Sequence, residues 1–195
     1  MDTSTTSTRT GRYSRDDVLS SALVLLETHG LAELTMRKLA LELGVQPSAL
    51  YWHVPNKQQL LAELADRIVA RARHVSLDGD WHPNVIAVAR ALRAALLSCR
   101  DGAELVSSSL ALGLGGTLAH RQLSDAISRG SIDRALADAT AVILVHQILG
   151  QVWHEQQRSD AQRLGVAVPE STAYERGNDI DLGVELVLLG LQHKR

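Results

Sequence analysis

Apolar residues recur along this chain at helical spacing, in runs that stop at glycine, proline or short polar turns. After Ser14-Arg-Asp-Asp17, which fits a capping box, Val18, Leu19, Ala22, Leu25 and Leu26 mark one face of a helix that ends at His29-Gly30. Thr35 can cap a second helix from Met36 to Leu43, with Met36, Leu39, Ala40 and Leu43 inward and Gly44 as its stop. Only Gly44-Val45 separates it from a third, short helix, where Pro47 and Ser48 suit the first turn and Leu50 and Val54 face inward. Asn56 caps a long helix from Lys57 to about His74, with Leu60, Leu61, Leu64, Ile68 and Val69 inward. Residues 76–84 are rich in turn formers and contain Pro83, so they form the expected linker. Helical patterns then continue over 84–98, 103–111, 118–129, 132–162 and 179–193, with a longer loop at 164–178 around Pro169. The pattern holds neither a strand nor a repeat, which predicts an all-α fold in three parts: a polar mobile arm over 1–13, a first unit over 14–75 and a second over 76–195.

Composition narrows the setting more than the function. The 195 residues are 45% hydrophobic and 22% charged, with a formal net charge of −2, as in an ordinary globular chain that can bury a core. A disulfide-stapled miniprotein is excluded, because Cys99 is the only cysteine and lies in an apolar helical stretch. A reduced, cytoplasmic setting follows, without a membrane: the start of the chain lacks the apolar core of a signal peptide, and no uninterrupted apolar run approaches about 18 residues. Charge alone does not advertise a nucleic-acid partner. Residues 1–75 carry nine Lys+Arg against eight Asp+Glu, and residues 76–195 carry eleven against fourteen. Any DNA contact must therefore depend on where the few cations stand.

Placement is where the first unit becomes informative. A helix, a short turn with a glycine and a second helix form the pattern of a DNA-reading helix-turn-helix, although a helical hairpin packed for its own sake has the same spacing. The outer side of the third helix presents Gln46, Ser48, Ala49, Tyr51, Trp52 and His53, with no carboxylate to repel phosphate. Glutamine can pair with adenine and alanine can touch a thymine methyl. Tyrosine, tryptophan, histidine and a helix N-terminus can reach phosphate oxygens.

Thr35-Met-Arg-Lys-Leu-Ala40, Leu43-Gly-Val45 and Leu50-Tyr-Trp-His-Val-Pro-Asn-Lys57 closely resemble the tetracycline-repressor (TetR) family. Ala95-Leu-Leu-Ser-Cys-Arg-Asp-Gly-Ala103 and Leu182-Gly-Val-Glu-Leu-Val-Leu-Leu-Gly-Leu-Gln192 extend the resemblance into the second unit, most closely to the branch of the tetracycline repressor itself. The resemblance implies a homodimeric repressor of nine or ten helices whose paired reading helices bind a palindromic, double-stranded operator; activators share the fold. It places the base-reading arginine at Arg37, the reading-helix contacts at Gln46, Pro47, Ser48, Ala49, Tyr51, Trp52 and His53, and the phosphate-binding lysine at Lys57. Thr35 is a helix cap as well as a candidate backbone contact, and Trp52 is open to a packing role.

For the second unit, the resemblance implies ligand binding and dimerisation. Where the tetracycline repressor holds its drug and magnesium, this chain has Arg73, Val88, Leu92, Val106 and His154, and only His146 matches in type. Valine offers no oxygen to a hard cation, which argues against tetracycline–magnesium and for an apolar or aromatic, polyketide-like effector. The expected pocket comprises Val88, Leu92, Val106, Leu110, His146 and Trp153, with His154 or Arg73 as polar anchor and no metal or cofactor. His120, His146 and His154 lack zinc-site spacing, and solvated histidines explain them better. Ser107-Ser-Ser109 with His120 or His146 lacks a nucleophile elbow, so an enzyme is the weaker reading. Apolar stripes at Ala135, Ala139, Val142, Ile143 and Leu149, and at Leu182, Val184, Leu186, Val187, Leu189 and Leu191, have the spacing of intramolecular core as well; the resemblance implies that these helices pair across a twofold axis.

Overall fold

The computed structural model describes residues 13–72, 75–169 and 179–192, with Gln192 described for its backbone only. The described residues are helical and contain no strand. They form α1 (Arg15–His29), α2 (Met36–Glu42), α3 (Pro47–Leu50), α4 (Lys57–Ala70), α5 (Trp81–Leu97), α6 (Gly102–Ala111), α7 (Thr117–Ser128), α8 (Arg134–Arg163) and α9 (Ile180–Gln192). The expected arm lies outside the described residues except for Tyr13, as do Arg73 and most of the 164–178 loop.

Local signals set the first unit. Ser14 caps α1 by accepting from the Asp17 amide at 3.1 Å, while the Asp17 carboxylate accepts from the Ser14 amide at 2.8 Å. Thr35 accepts from the Lys38 amide at 3.1 Å to start α2, and Asn56 accepts from the Gln59 amide at 2.8 Å to start α4. Leu19, Leu26, Leu39, Leu50 and Leu60 meet in the core that these helices share. Each α1 or α4 apolar position removes enough surface from water to contribute about 1.5–3 kcal/mol before chain entropy is counted.

Two boundaries differ from the sequence expectation. The linking helix α4 stops at Ala70 and not near His74, because the Arg71 amide turns back to the carbonyls of Ile68 and Val69. The linker is also shorter than 76–84, since α5 begins at Trp81. Asp80 caps that turn by accepting from the His82 amide at 3.3 Å, and Pro83 occupies the first turn, where its missing N–H needs no helical partner. Trp81 lies flat against Gly130, where a Cβ would stand only 2.5 Å from the ring.

In the second unit α8 packs against α5, α6, α7 and α9. By length and hydropathy α8 would pass for a membrane span. Its apolarity serves packing instead: Ala137, Ala141, Leu144, Ile148 and Val152 are buried in the core. The two units share one continuous core, which runs from Val18 to Leu191. Of the stripes expected to pair across a twofold axis, Leu149, Val184 and Leu191 turn into this core and cannot serve as surface. Val142, Ile143, Leu182, Leu186 and Leu189 remain exposed.

Candidate nucleic-acid interface and effector cavity

The turn from α2 to α3 spans Leu43 to Gln46, and its geometry leaves one face of α3 outward. Gln46, Pro47, Ser48, Tyr51 and Trp52 are exposed there, Ala49 and His53 half-buried, and Leu50 points inward. Trp52 is 90% exposed, which removes the packing role that its size allowed. Burying an indole contributes more than most side chains can, so one left in water needs another account. Arg37 is exposed at the second position of α2, and Lys57 stands half-buried at the first position of α4. Tyr51 is half exposed. The ten residues named from sequence thus occupy the surface of α2, α3 and the start of α4, with no carboxylate among them.

A profile of the family described as bacterial regulatory proteins, tetR family, matches residues 18–64, the segment that builds this face. The class A tetracycline repressor of transposon 1721 from Escherichia coli is 47% identical over 91 residues, covering 45% of this chain and 42% of that protein. That match spans less than half of the relative's length. The class C tetracycline repressor from Escherichia coli is 31% identical over 208 residues, covering 94% of this chain and 93% of that protein. The chain belongs to the TetR family. Among solved members of the family, the crystal structure of Mycobacterium smegmatis BioQ aligns with a TM-score of 0.82 at 39% identity, over 92% of this chain and 97% of that one. A second BioQ structure, with its natural double-stranded DNA operator, aligns with a TM-score of 0.77 at 38% identity, over 92% and 98%.

The residues assigned to an effector fall in several places. Val88, Leu92 and Val106 are buried in the continuous core, 3%, 1% and 0% exposed. Leu110 and His146 line an opening of about 430 Å³ between α6, the start of α7 and α8, together with Ser107, Thr117, His120, Val145 and others. Trp153 lines an adjoining opening of about 300 Å³ that shares Ser107, His146 and Leu149 with the first. His154 is exposed, meets Trp153 edge-on with ring centroids 5.0 Å apart, and lines neither opening. The three histidines weighed as a zinc set are therefore not brought together. Ser107, Thr117 and Val145 were not anticipated as cavity residues. The only sequence signal was Thr117 and His120, spaced i, i+3 on one helix face.

Two sets of contacts join this region to the first unit. The α6–α7 turn rests on α4: Asp66 accepts from the Gly116 amide at 2.7 Å, and a Cβ on Gly115 would stand 2.6 Å from the Ala62 carbonyl oxygen. Only glycine permits that approach. The α5–α6 corner grips the turn after α1, where Asp101, held at a φ of 55°, accepts from the Leu31 amide at 2.7 Å, and Arg100 donates to the Thr28 carbonyl at 3.2 Å. On its other side Gln156 of α8 accepts from the Ala103 amide at 3.2 Å and donates to the Cys99 carbonyl at 2.8 Å. Cys99 is buried beneath this corner, and burial pushes its thiol up to about 11, so it stays a neutral packing group.

Proposed function

We propose that the chain is a ligand-responsive transcriptional repressor, cytoplasmic and not an enzyme, which binds a palindromic operator as a homodimer and is released by a small molecule. The observation that carries this reading is the outward face of α3, where Tyr51 and a 90% exposed Trp52 stand beside Gln46, Ser48 and His53 with no structural duty. In it Arg37 reads a base, Lys57 and the start of α4 hold phosphate, and Gln46, Pro47, Ser48, Ala49, Tyr51, Trp52 and His53 meet the groove and its walls. Thr35 caps α2 and adds a backbone contact. The DNA-reading unit is 14–75, preceded by the arm over 1–13, and the effector and dimerisation unit is 76–195. The likeness over nearly the whole chain to BioQ, which is solved with its double-stranded operator, supports the reading as an operator-binding protein.

Dimerisation uses the surface that the core does not need. Ala135, Ala139 and Ile143 of α8 and Leu182, Leu186 and Leu189 of α9 form exposed apolar surface, which a second copy covers about a twofold axis, while Val142 borders the opening beside α6. Two reading helices then reach half-sites about 34–36 Å apart. A ligand that displaces the α6–α7 turn moves Gly115 and Gly116 against Ala62 and Asp66, and so tilts α4 and changes that spacing. It releases the operator only as far as it favours the tilted form over the bound one. Tetracycline–magnesium does not suit this chain: Val106 is fully buried and has no lone pair to offer a hard cation.

Selection of bound duplexes from a random pool at about physiological salt tests the reading, because non-specific binding is weak there. An enriched palindrome with half-sites one helical turn apart is expected. A folded dimer that enriches no sequence, before and after refolding to strip any bound ligand, would overturn it.

A further inference from the structure

The two adjoining openings on the outer side of α6 and α8 are lined by residues different from those that a tetracycline-type site would use. Val88, Leu92 and Val106 are buried in the core, while Ser107, His146 and Leu149 line both openings, which adjoin along α6 and α8. The larger opening, about 430 Å³, lies within the size range of small-molecule sites, and its walls are Leu110, Ala111, Val142, Val145 and Leu149. None of its lining residues carries a permanent charge, and Glu104 borders the smaller opening. An anion would shed its hydration there without a counter-ion and face a carboxylate at the far end. A neutral ligand meets neither cost.

The polar groups also say which end of a hydrogen bond the ligand supplies. His120 Nε2 lies 3.0 Å from the Asp138 carbonyl oxygen, which can only accept, so Nε2 carries the proton. In the neutral ring Nδ1 is then a bare acceptor. We propose that the two openings form one groove, the effector site, which takes a neutral, largely apolar molecule bearing a hydroxyl that donates to His120 Nδ1. The proposal rests on the reading of the chain as a ligand-responsive regulator, and adds to it a place, a ligand class and a positioning atom.

Three probes of one shape test it on the full-length protein by calorimetry: 2-naphthol, 2-methoxynaphthalene and 2-naphthoate. 2-Naphthol is expected to bind about tenfold or more tightly than the ether, which cannot donate, and than the carboxylate. His120→Phe keeps a ring and loses the acceptor, so it should bring naphthol and ether to within about twofold of each other. Ala111→Trp, at an exposed position of α6 that lines the groove, should block all binding while leaving the fold intact. Circular dichroism checks that both variants fold, and Ala111→Trp alone suffices if His120→Phe does not. Equal binding of the three probes, tightest binding of the carboxylate, naphthol binding unaffected by Ala111→Trp, or no binding at all would overturn the proposal. An enriched operator alongside any of these results would leave the repressor reading standing.

Discussion

The first unit exposes the side chains that a family likeness assigns to DNA, whereas the second hides several of those that the same likeness assigns to an effector. Trp52 and Tyr51 stand out from α3, and Arg37 and Lys57 flank them at helix ends. Val88, Leu92 and Val106 lie in the core, and the open space is lined instead by Ser107, Thr117, His120 and His146. The difference has a physical source. Operators share the phosphate spacing and wide major groove of a B-form duplex, so the shape of a reading face carries over between proteins. An effector pocket fits a particular molecule, so the residues that line it differ from one protein to the next.

The largest effect that tests this contrast belongs to the reading face. Arg37→Ala should lower operator affinity by about 1–3 kcal/mol per half-site and relax base choice at one position in each. Lys57→Ala should weaken binding to all sequences alike and flatten the salt dependence. Titration of operator and random duplexes over a range of salt concentrations separates the two. Equal losses on both duplexes for Arg37→Ala would show that it touches backbone only.

A smaller effect is expected where the units meet. Asp101→Ala leaves the Leu31 amide without its acceptor and frees the α5–α6 corner from the turn after α1. A partly buried donor left unpaired costs about 1–3 kcal/mol, which a shift of the urea midpoint would register. If the corner also transmits the state of the groove, the variant should hold its operator equally well with and without 2-naphthol. An unchanged response to the probe would assign the coupling to Gly115, Gly116 and α4 alone.

Sequence reasoning reached these elements unequally. The helix-turn-helix was legible because each signal is local: Ser14, Thr35 and Asn56 cap helices through amides three residues away. The start of α5 was missed because Pro83 suggests a break, whereas in a first turn it costs no hydrogen bond. The groove was least legible. Which faces of α6, α7 and α8 leave space between them depends on long-range packing, and hydrophobic periodicity marks a position as inward without saying whether it fills a cavity or lines one. His146 and Trp153, seven residues apart on α8, do share a face as their spacing requires, while His154, one residue on, turns out of the groove.

The smallest effect concerns a residue that serves only the fold. Ser14→Ala removes the hydroxyl that accepts from the Asp17 amide and should cost about 1 kcal/mol of stability without altering base preference. It should also change the response to acid. The hydroxyl and amide of Ser14 both donate to the Asp17 carboxylate and hold its pKa below the usual 3.8. The native state therefore binds fewer protons than the unfolded chain, and the resulting stability is present above that value and is lost as pH falls through the depressed one. With the hydroxyl gone, the wild type and Ser14→Ala should differ more at pH 7 than at pH 3. Urea midpoints at the two pH values measure the difference. A constant gap would mean that the hydroxyl caps α1 without tuning the carboxylate, whose pKa is then lowered by the Ser14 amide alone.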